Sequence, residues 1–297
     1  MTLYTWIYFT LLAATMQAVR TAGQKQLGSK LNTMAASGVR YIFALPFGYL
    51  YLYGVTEYTG LAVPNLNSQF VIYALLACAA QIIGTACLVA AFKYRNFAVS
   101  SSLSKTEAIQ IAIIGAILFS SPLSLLGWLS VSISAIGVFF LAKVKFRLKD
   151  LLANPGAGYG LASGLGLAFA TLLIREASLA LSTNLFLSAA VTLVFMITVQ
   201  SLFSAIYLWF EDKSQFALMV KHWRLALFVG VTSVLGSIGW FTGASLQLAA
   251  YVKALGQVEF FITLLLTYRV FKEKISLAEY IGMVLIVLSV LILLLWA

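Results

Sequence analysis

The sequence predicts an all-α membrane protein of ten transmembrane helices, arranged as two inverted five-helix repeats. Three observations carry this. First, the 297 residues are 62% hydrophobic and 9% charged, with a mean hydropathy of +0.99, whereas a soluble domain carries about 25% charge. Second, the apolar residues fall into ten runs of about 20 residues, the length that crosses a bilayer. Third, the second half matches the first at a constant offset of 152, the separation of Glu107 and Glu259. A repeat with an odd number of spans must enter the membrane the other way up.

The runs, in order, are 4–23, 34–54, 69–91, 98–118 and 123–142, then 157–180, 184–208, 223–245, 250–271 and 276–296. The first has no basic stretch before it, and its first cation, Arg20, follows the run, so it reads as a span and not a cleaved signal. The second holds Pro46, six residues beyond Arg40, and a kink is expected there whose freed backbone groups would line a cavity. Cys78 and Cys87 share the third run and sit ~13 Å apart in height on one helix, too far to pair. These five spans form a first repeat, 1–142. A basic linker, 143–156, leads to the second, 157–297. Glycines crowd the sixth run (Gly158, Gly160, Gly164, Gly166) and the eighth (Gly230, Gly236, Gly239, Gly243), which predicts close helix packing. Continuous runs, with no ~10-residue alternation, argue against a barrel.

The register includes polar matches inside the runs. Asn32 meets Asn184, Gln81 through Thr85 meet Ser233 through Ser237, Phe97-Ala98 meet Ala249-Ala250, and Leu103 meets Leu255. Phe119, Ser124 and Leu125 meet Phe271, Ser276 and Leu277. Cations gather in alternate loops: Lys25 and Lys30, Lys93 and Arg95, the linker's Lys143, Lys145, Arg147 and Lys149, then Lys213, Lys221 and Arg224, then Lys272 and Lys274. Positive loops stay cytoplasmic, so both termini are placed outside a cytoplasmic (inner) membrane. Trp6, Trp128 and Trp296 fall at the outer level and Trp209 and Trp223 at the inner, an aromatic belt. Trp240 lies deep in the eighth span, as a core residue or a cavity wall.

The net charge of +10 is thus a matter of loop topology, and no nucleic-acid partner is expected. The single histidine, His222, stands outside any Cys/His cluster, so no metal is expected. No G-x-x-x-x-G-K-[ST] loop binds a nucleotide, and no cofactor is expected. No nucleophile, base or metal cluster near an interface points to an enzyme.

Ionisable groups inside spans cost about 2.5–3.5 kcal/mol each on insertion scales. The deep ones are Arg40, Lys105, Glu107 and Glu259; Arg20, Arg175, Glu176 and Lys253 lie nearer span ends, within snorkelling reach. Residues two apart on a helix do not face each other. Glu107 therefore shares a face with Gln110, while Lys105 must find another partner. Inverted symmetry brings the helices of Glu107 and Glu259 together near the midplane. Arg40 and Lys105 either neutralise the two glutamates in a fixed network or contact a substrate. Five cations against three anions favour an anionic or zwitterionic substrate. The candidate binding residues are Arg40, Lys105, Glu107, Gln110, Trp240, Lys253, Gln257 and Glu259. Glu259 and Glu107 are the proton-coupling candidates. Glu259 comes first, because its sequence neighbours are uncharged while Glu107 has Lys105 beside it.

The stretch Val270-Phe271-Lys272-Glu273-Lys274-Ile275-Ser276, with Gly282 following, resembles the phenylalanine–small–glutamate–arginine turn of the drug/metabolite transporter superfamily, EamA type. The two-repeat organisation resembles that family over nearly the whole chain. The first repeat departs from the pattern, reading Phe119-Ser120-Ser121-Pro122 without the glutamate, so the turn is read as structural. The resemblance implies a secondary transporter with a central cavity lined by both repeats. The expected function is alternating-access transport of a small polar metabolite such as an organic acid, amino acid or phosphorylated compound, one repeat bundle rocking against the other. Membrane lipids and protons are the other expected partners. The rival reading is a flippase for a phosphate-bearing lipid-linked headgroup.

Overall fold

The computed structural model describes residues 4–91, 103–141, 155–262 and 276–296. Lys93, Arg95, Phe97-Ala98, the linker cations Lys143, Lys145, Arg147 and Lys149, and the Val270–Ile275 turn lie outside the described residues. Regular structure among the described residues is helical throughout. The helices are α1 (Thr5–Gly28), α2 (Thr33–Ile42), α3 (Leu45–Thr59), α4 (Ser68–Ala91), α5 (Glu107–Leu118) and α6 (Leu125–Leu141). They continue with α7 (Pro155–Ala180), α8 (Leu185–Glu211), α9 (Ser214–Lys221), α10 (Trp223–Leu246), α11 (Ala249–Gly256) and α12 (Leu277–Trp296).

Five of these, in α4, α7, α8, α10 and α12, are long and apolar enough to cross a membrane unbroken. Large apolar side chains such as Leu125, Ile117 and Val284 are exposed. In water that would be a liability; in a bilayer it is the lipid-facing surface. The second span is two helices, not one kinked helix. α2 stops at Ile42, and Pro46 falls in the first turn of α3, where its missing N–H costs nothing. The matched asparagines have a shared job as N-caps. Asn32 Oδ1 accepts from Ala35 N at 2.8 Å, and Asn184 Oδ1 accepts from Phe186 N at 3.0 Å. Each satisfies a donor that a helix start leaves open.

The chain packs as two compact units, Met1–Cys78 with Ile174–Leu246 and Ala79–Leu173 with Gln247–Ala297, so each unit draws on both halves of the sequence. In the first unit α1 runs along α10, and α8 packs on α2, α3 and α10. Missing side chains make these approaches possible. A Cβ on Gly239 would collide with Phe9 O and sit 2.7 Å from Ala13 N, and one on Gly230 would sit 2.7 Å from Phe43 O at the break between α2 and α3. In the second unit α6 packs along α12, with Ser130 Oγ donating to Ser289 O at 2.9 Å. Gly84 and Gly166 meet in the same backbone-to-backbone way; a Cβ on Gly166 would lie 2.7 Å from Gly84 Cα.

Two expectations change. Trp6 is 7% exposed, so its side chain packs against protein and does not face the surface as a belt tryptophan would. The eight-residue α9 was not expected, because it is too short to register as an apolar run. Its inner face, Met219 with Phe216 and Leu218, joins a core of Leu27, Leu31, Leu208, Ala226 and Val229. Asp212, the C-cap of α8, secures the first turn of α9, Ser214 N donating to Asp212 Oδ1 at 3.1 Å. Ser214 Oγ and Gln215 Nε2 donate to its two carboxylate oxygens at 2.6 and 2.8 Å. These bonds, that of Ser214 foremost, hold the carboxyl below its usual range. A depressed carboxylate contributes stability above its unfolded pKa and loses it as pH falls through the folded value. Asp212→Asn should therefore remove the acid sensitivity of α9 docking, read as hydrogen exchange of α9 amides between pH 6 and pH 3.

Candidate functional site

The second unit contains two interrupted helices at equivalent places. Helical residues Leu103 and Ser104 give way to a turn at Lys105-Thr106 before α5 begins at Glu107. α11 gives way to a turn at Gln257-Val258 before helix resumes at Glu259. The interruptions share the register of 152. The backbone there tightens to i→i−3 bonds: Thr106 N to Leu103 O at 3.1 Å, Val258 N to Leu255 O at 3.1 Å and Phe260 N to Gln257 O at 3.1 Å. Tightened turns inside a span mark hinges and functional sites. Thr106 reinforces the first, its Oγ1 donating to Leu103 O at 2.6 Å and accepting from Gln110 Nε2 at 2.9 Å.

α5 packs on α11, and α6 supports both. Tyr251 of α11 lies against Gly127 of α6, where any side chain would collide with its ring, and its hydroxyl lies 3.4 Å from Ser124 Oγ. This seating lets the two broken helices exchange ion pairs. Lys105 Nζ pairs with Glu259 Oε1. Lys253 Nζ pairs with Glu107 Oε1 at 2.8 Å. Glu107 Oε1 also lies 3.2 Å from the Thr171 hydroxyl of α7. The Lys105 ammonium stands 5.4 Å from the centre of the Phe260 ring, close enough for a cation–π attraction. The side chains keep 30% (Lys105), 11% (Glu259), 18% (Lys253) and 13% (Glu107) exposure. They are largely desolvated, yet not sealed.

The structure thus brings together Lys105, Glu107, Lys253 and Glu259, with Gln110 and Gln257 on the same elements. Gln110 Oε1 is buried and accepts no hydrogen bond from the described residues. Arg40 and Trp240 belong to the first unit. There the Arg40 guanidinium lies 4.7 Å from the Tyr41 ring centre, and Trp240 Nε1 donates to Gln17 Oε1 at 2.9 Å. Two sequence readings are revised. Lys253 is not a snorkelling span-end residue but the partner of Glu107. The ranking of Glu259 over Glu107 loses its reason, since Lys105 crosses to Glu259 and each glutamate has its own lysine. The excess of cations disappears within this cluster, where two lysines face two glutamates.

The described residues form helices, five of them long and apolar enough to cross a membrane, and they gather charged side chains at paired helix interruptions, which makes this a polytopic membrane protein. The family model of the EamA-like transporter family matches it twice, over residues 4–143 and 154–295. The chain belongs to that family, within the drug/metabolite transporter superfamily. One solved structure, described as "Crystal structure of protein", is similar over 100% of this chain and 99% of its own, with a TM-score of 0.76 and 13% identity. That likeness shows a common fold. No curated protein sequence matches.

Proposed function

We propose that this transporter moves a small polar anion or zwitterion by alternating access, with the crossed pairs Lys105–Glu259 and Lys253–Glu107 as its binding and coupling groups. The observation that carries the reading is the exchange itself. Each broken helix supplies one lysine and one glutamate, and each is neutralised by the other helix. Charge conservation in a desolvated site then limits the cargo. A carboxylate or phosphate that takes a lysine frees that lysine's glutamate. Removing the ammonium from a carboxylate at that depth is costly, and a cation on the same substrate or a proton offsets the loss. The first case is a zwitterion, the second an anion carried with a proton. The open acceptor on Gln110 supplies a place for a substrate N–H or O–H.

The test uses ligands found by thermal stabilisation of the purified protein, then transport in proteoliposomes with and without a pH gradient. A zwitterion should move by exchange without responding to the gradient. An anion should accumulate with the gradient, and Glu259→Gln should abolish accumulation while sparing exchange at equal gradients. Wild-type accumulation that persists in Glu259→Gln would remove Glu259 as the coupling residue.

The proposed orientation, both termini outside, has a separate test. In a background without Cys78 and Cys87, which are free thiols, a cysteine at Ala62 should react with an impermeant thiol reagent on intact cells. One at Lys145 should react only after lysis; the reverse pattern would invert the topology.

A further inference from the structure

We infer that the corner formed by the end of α8, by α9 and by the start of α10 is a docking surface for an anionic phospholipid headgroup. The corner is a built platform. α9 is pinned from beneath by Met219 and Gln215, both buried, and Gln215 Oε1 accepts from Asn32 N at 3.0 Å, which ties the α1–α2 turn to it. What this platform displays is basic and aromatic. Lys30, Lys213, Lys221 and Arg224 are all exposed. Two of the cations are held over indole rings: Lys213 Nζ lies 4.4 Å from the Trp209 ring centre, and the Arg224 guanidinium 5.6 Å from that of Trp223. Of the two nearby acids, Asp212 has both oxygens engaged by Ser214 and Gln215, and Glu211 remains.

The aromatic and aliphatic side chains choose the partner. Phe210 is 84% and Val220 68% exposed, with Trp209 and Trp223 about half exposed beside them. A soluble acidic protein would meet cations alone. A phospholipid brings a phosphate to the cations and acyl chains to the apolar rim, and tryptophans settle at that level of a bilayer. A basic side chain near an anionic membrane surface strengthens attachment by about five-fold. The cluster should therefore distinguish phosphatidylglycerol from the uncharged-overall phosphatidylcholine.

The experiment is native mass spectrometry of the full-length purified protein titrated with each lipid, paired with thermal shift. Wild type should retain phosphatidylglycerol about ten-fold better than phosphatidylcholine and gain thermal stability from it. The exposed-site variant Lys213→Gln/Lys221→Gln/Arg224→Gln should lose that preference. Lys213→Arg/Lys221→Arg/Arg224→Lys, with the charge kept, should retain it. Equal retention of both lipids by wild type, or an unchanged preference in the glutamine variant, would overturn the assignment. So would polyglutamate peptide displacing the lipid at low micromolar concentration, which would mark an acidic-protein surface. A dimer that dissociates in the glutamine variant would mark a self-association surface and overturn it as well.

Discussion

Lys105→Ala should abolish transport in protein that still reaches the membrane and purifies as a single species. Removing the ammonium takes from Glu259 its ion pair with Lys105, at one of the least exposed carboxylates among the described residues. Breaking a fully buried pair costs about 3–5 kcal/mol. Lys105 keeps some solvent contact, so a loss of ~1–3 kcal/mol in stability is expected. Function should fall much further than stability, because the Lys105 ammonium is then missing from the exchange of partners on which transport rests. If Lys105→Ala shows only a lower melting temperature, with substrate affinity and rate intact, the pairs are a fixed structural network. Lys253→Ala should behave the same way through Glu107, tempered by the Thr171 hydroxyl that remains on that carboxylate.

Gly239→Leu should prevent α1 and α10 from pairing and yield protein that aggregates on extraction. The new Cβ alone would press on the backbone of Phe9 and Ala13. Backbone atoms cannot rotate aside as a side chain can, so the helices must separate along their length. Gly239→Ala should cost about 1–3 kcal/mol for overpacking, offset in part by the ~1 kcal/mol that alanine gains over glycine in a helix. Gly158 is the control: a Cβ there meets nothing within 4 Å, so Gly158→Ala should leave the melting temperature unchanged or raise it. Equal damage from both alanines would show that the close approach at Gly239 does not hold the unit together.

The spans, the repeat and its register were legible because each rests on patterns local to the chain. Apolar length gave the helices, and Asn32 and Asn184 coincided because both cap a helix. The two interruptions were half legible. Glu107 and Glu259 stood out as carboxyl groups in apolar runs, but the turns before them leave no proline or glycine pair in both copies to announce them. Thr106 reads as a helix-tolerant residue until its hydroxyl is seen on Leu103 O. Partnership was only partly legible: Lys105 was expected to find a partner other than Glu107 and was set against the glutamates, but the Lys253–Glu107 pair was not foreseen. Lys253 seemed peripheral and Glu259 uncharged in its surroundings because sequence neighbours were counted, whereas the neutralising lysine comes from another helix. α9 escaped because eight residues, about two helical turns, carry too little periodicity to separate from a loop.

The charge swap tests the crossed pairs most directly. Proteoliposome exchange of a stabilising ligand would be measured for wild type, Lys105→Ala, Glu259→Gln, Lys105→Glu, Glu259→Lys and the double swap Lys105→Glu/Glu259→Lys. The account predicts that the two reversals each fall below about a hundredth of the wild-type rate, because each puts two like charges together at this depth. The double swap, which restores the attraction in mirror form, should recover at least ten-fold over either. Single reversals that transport at wild-type rates, or a double swap no better than its parents in properly folded protein, would contradict it.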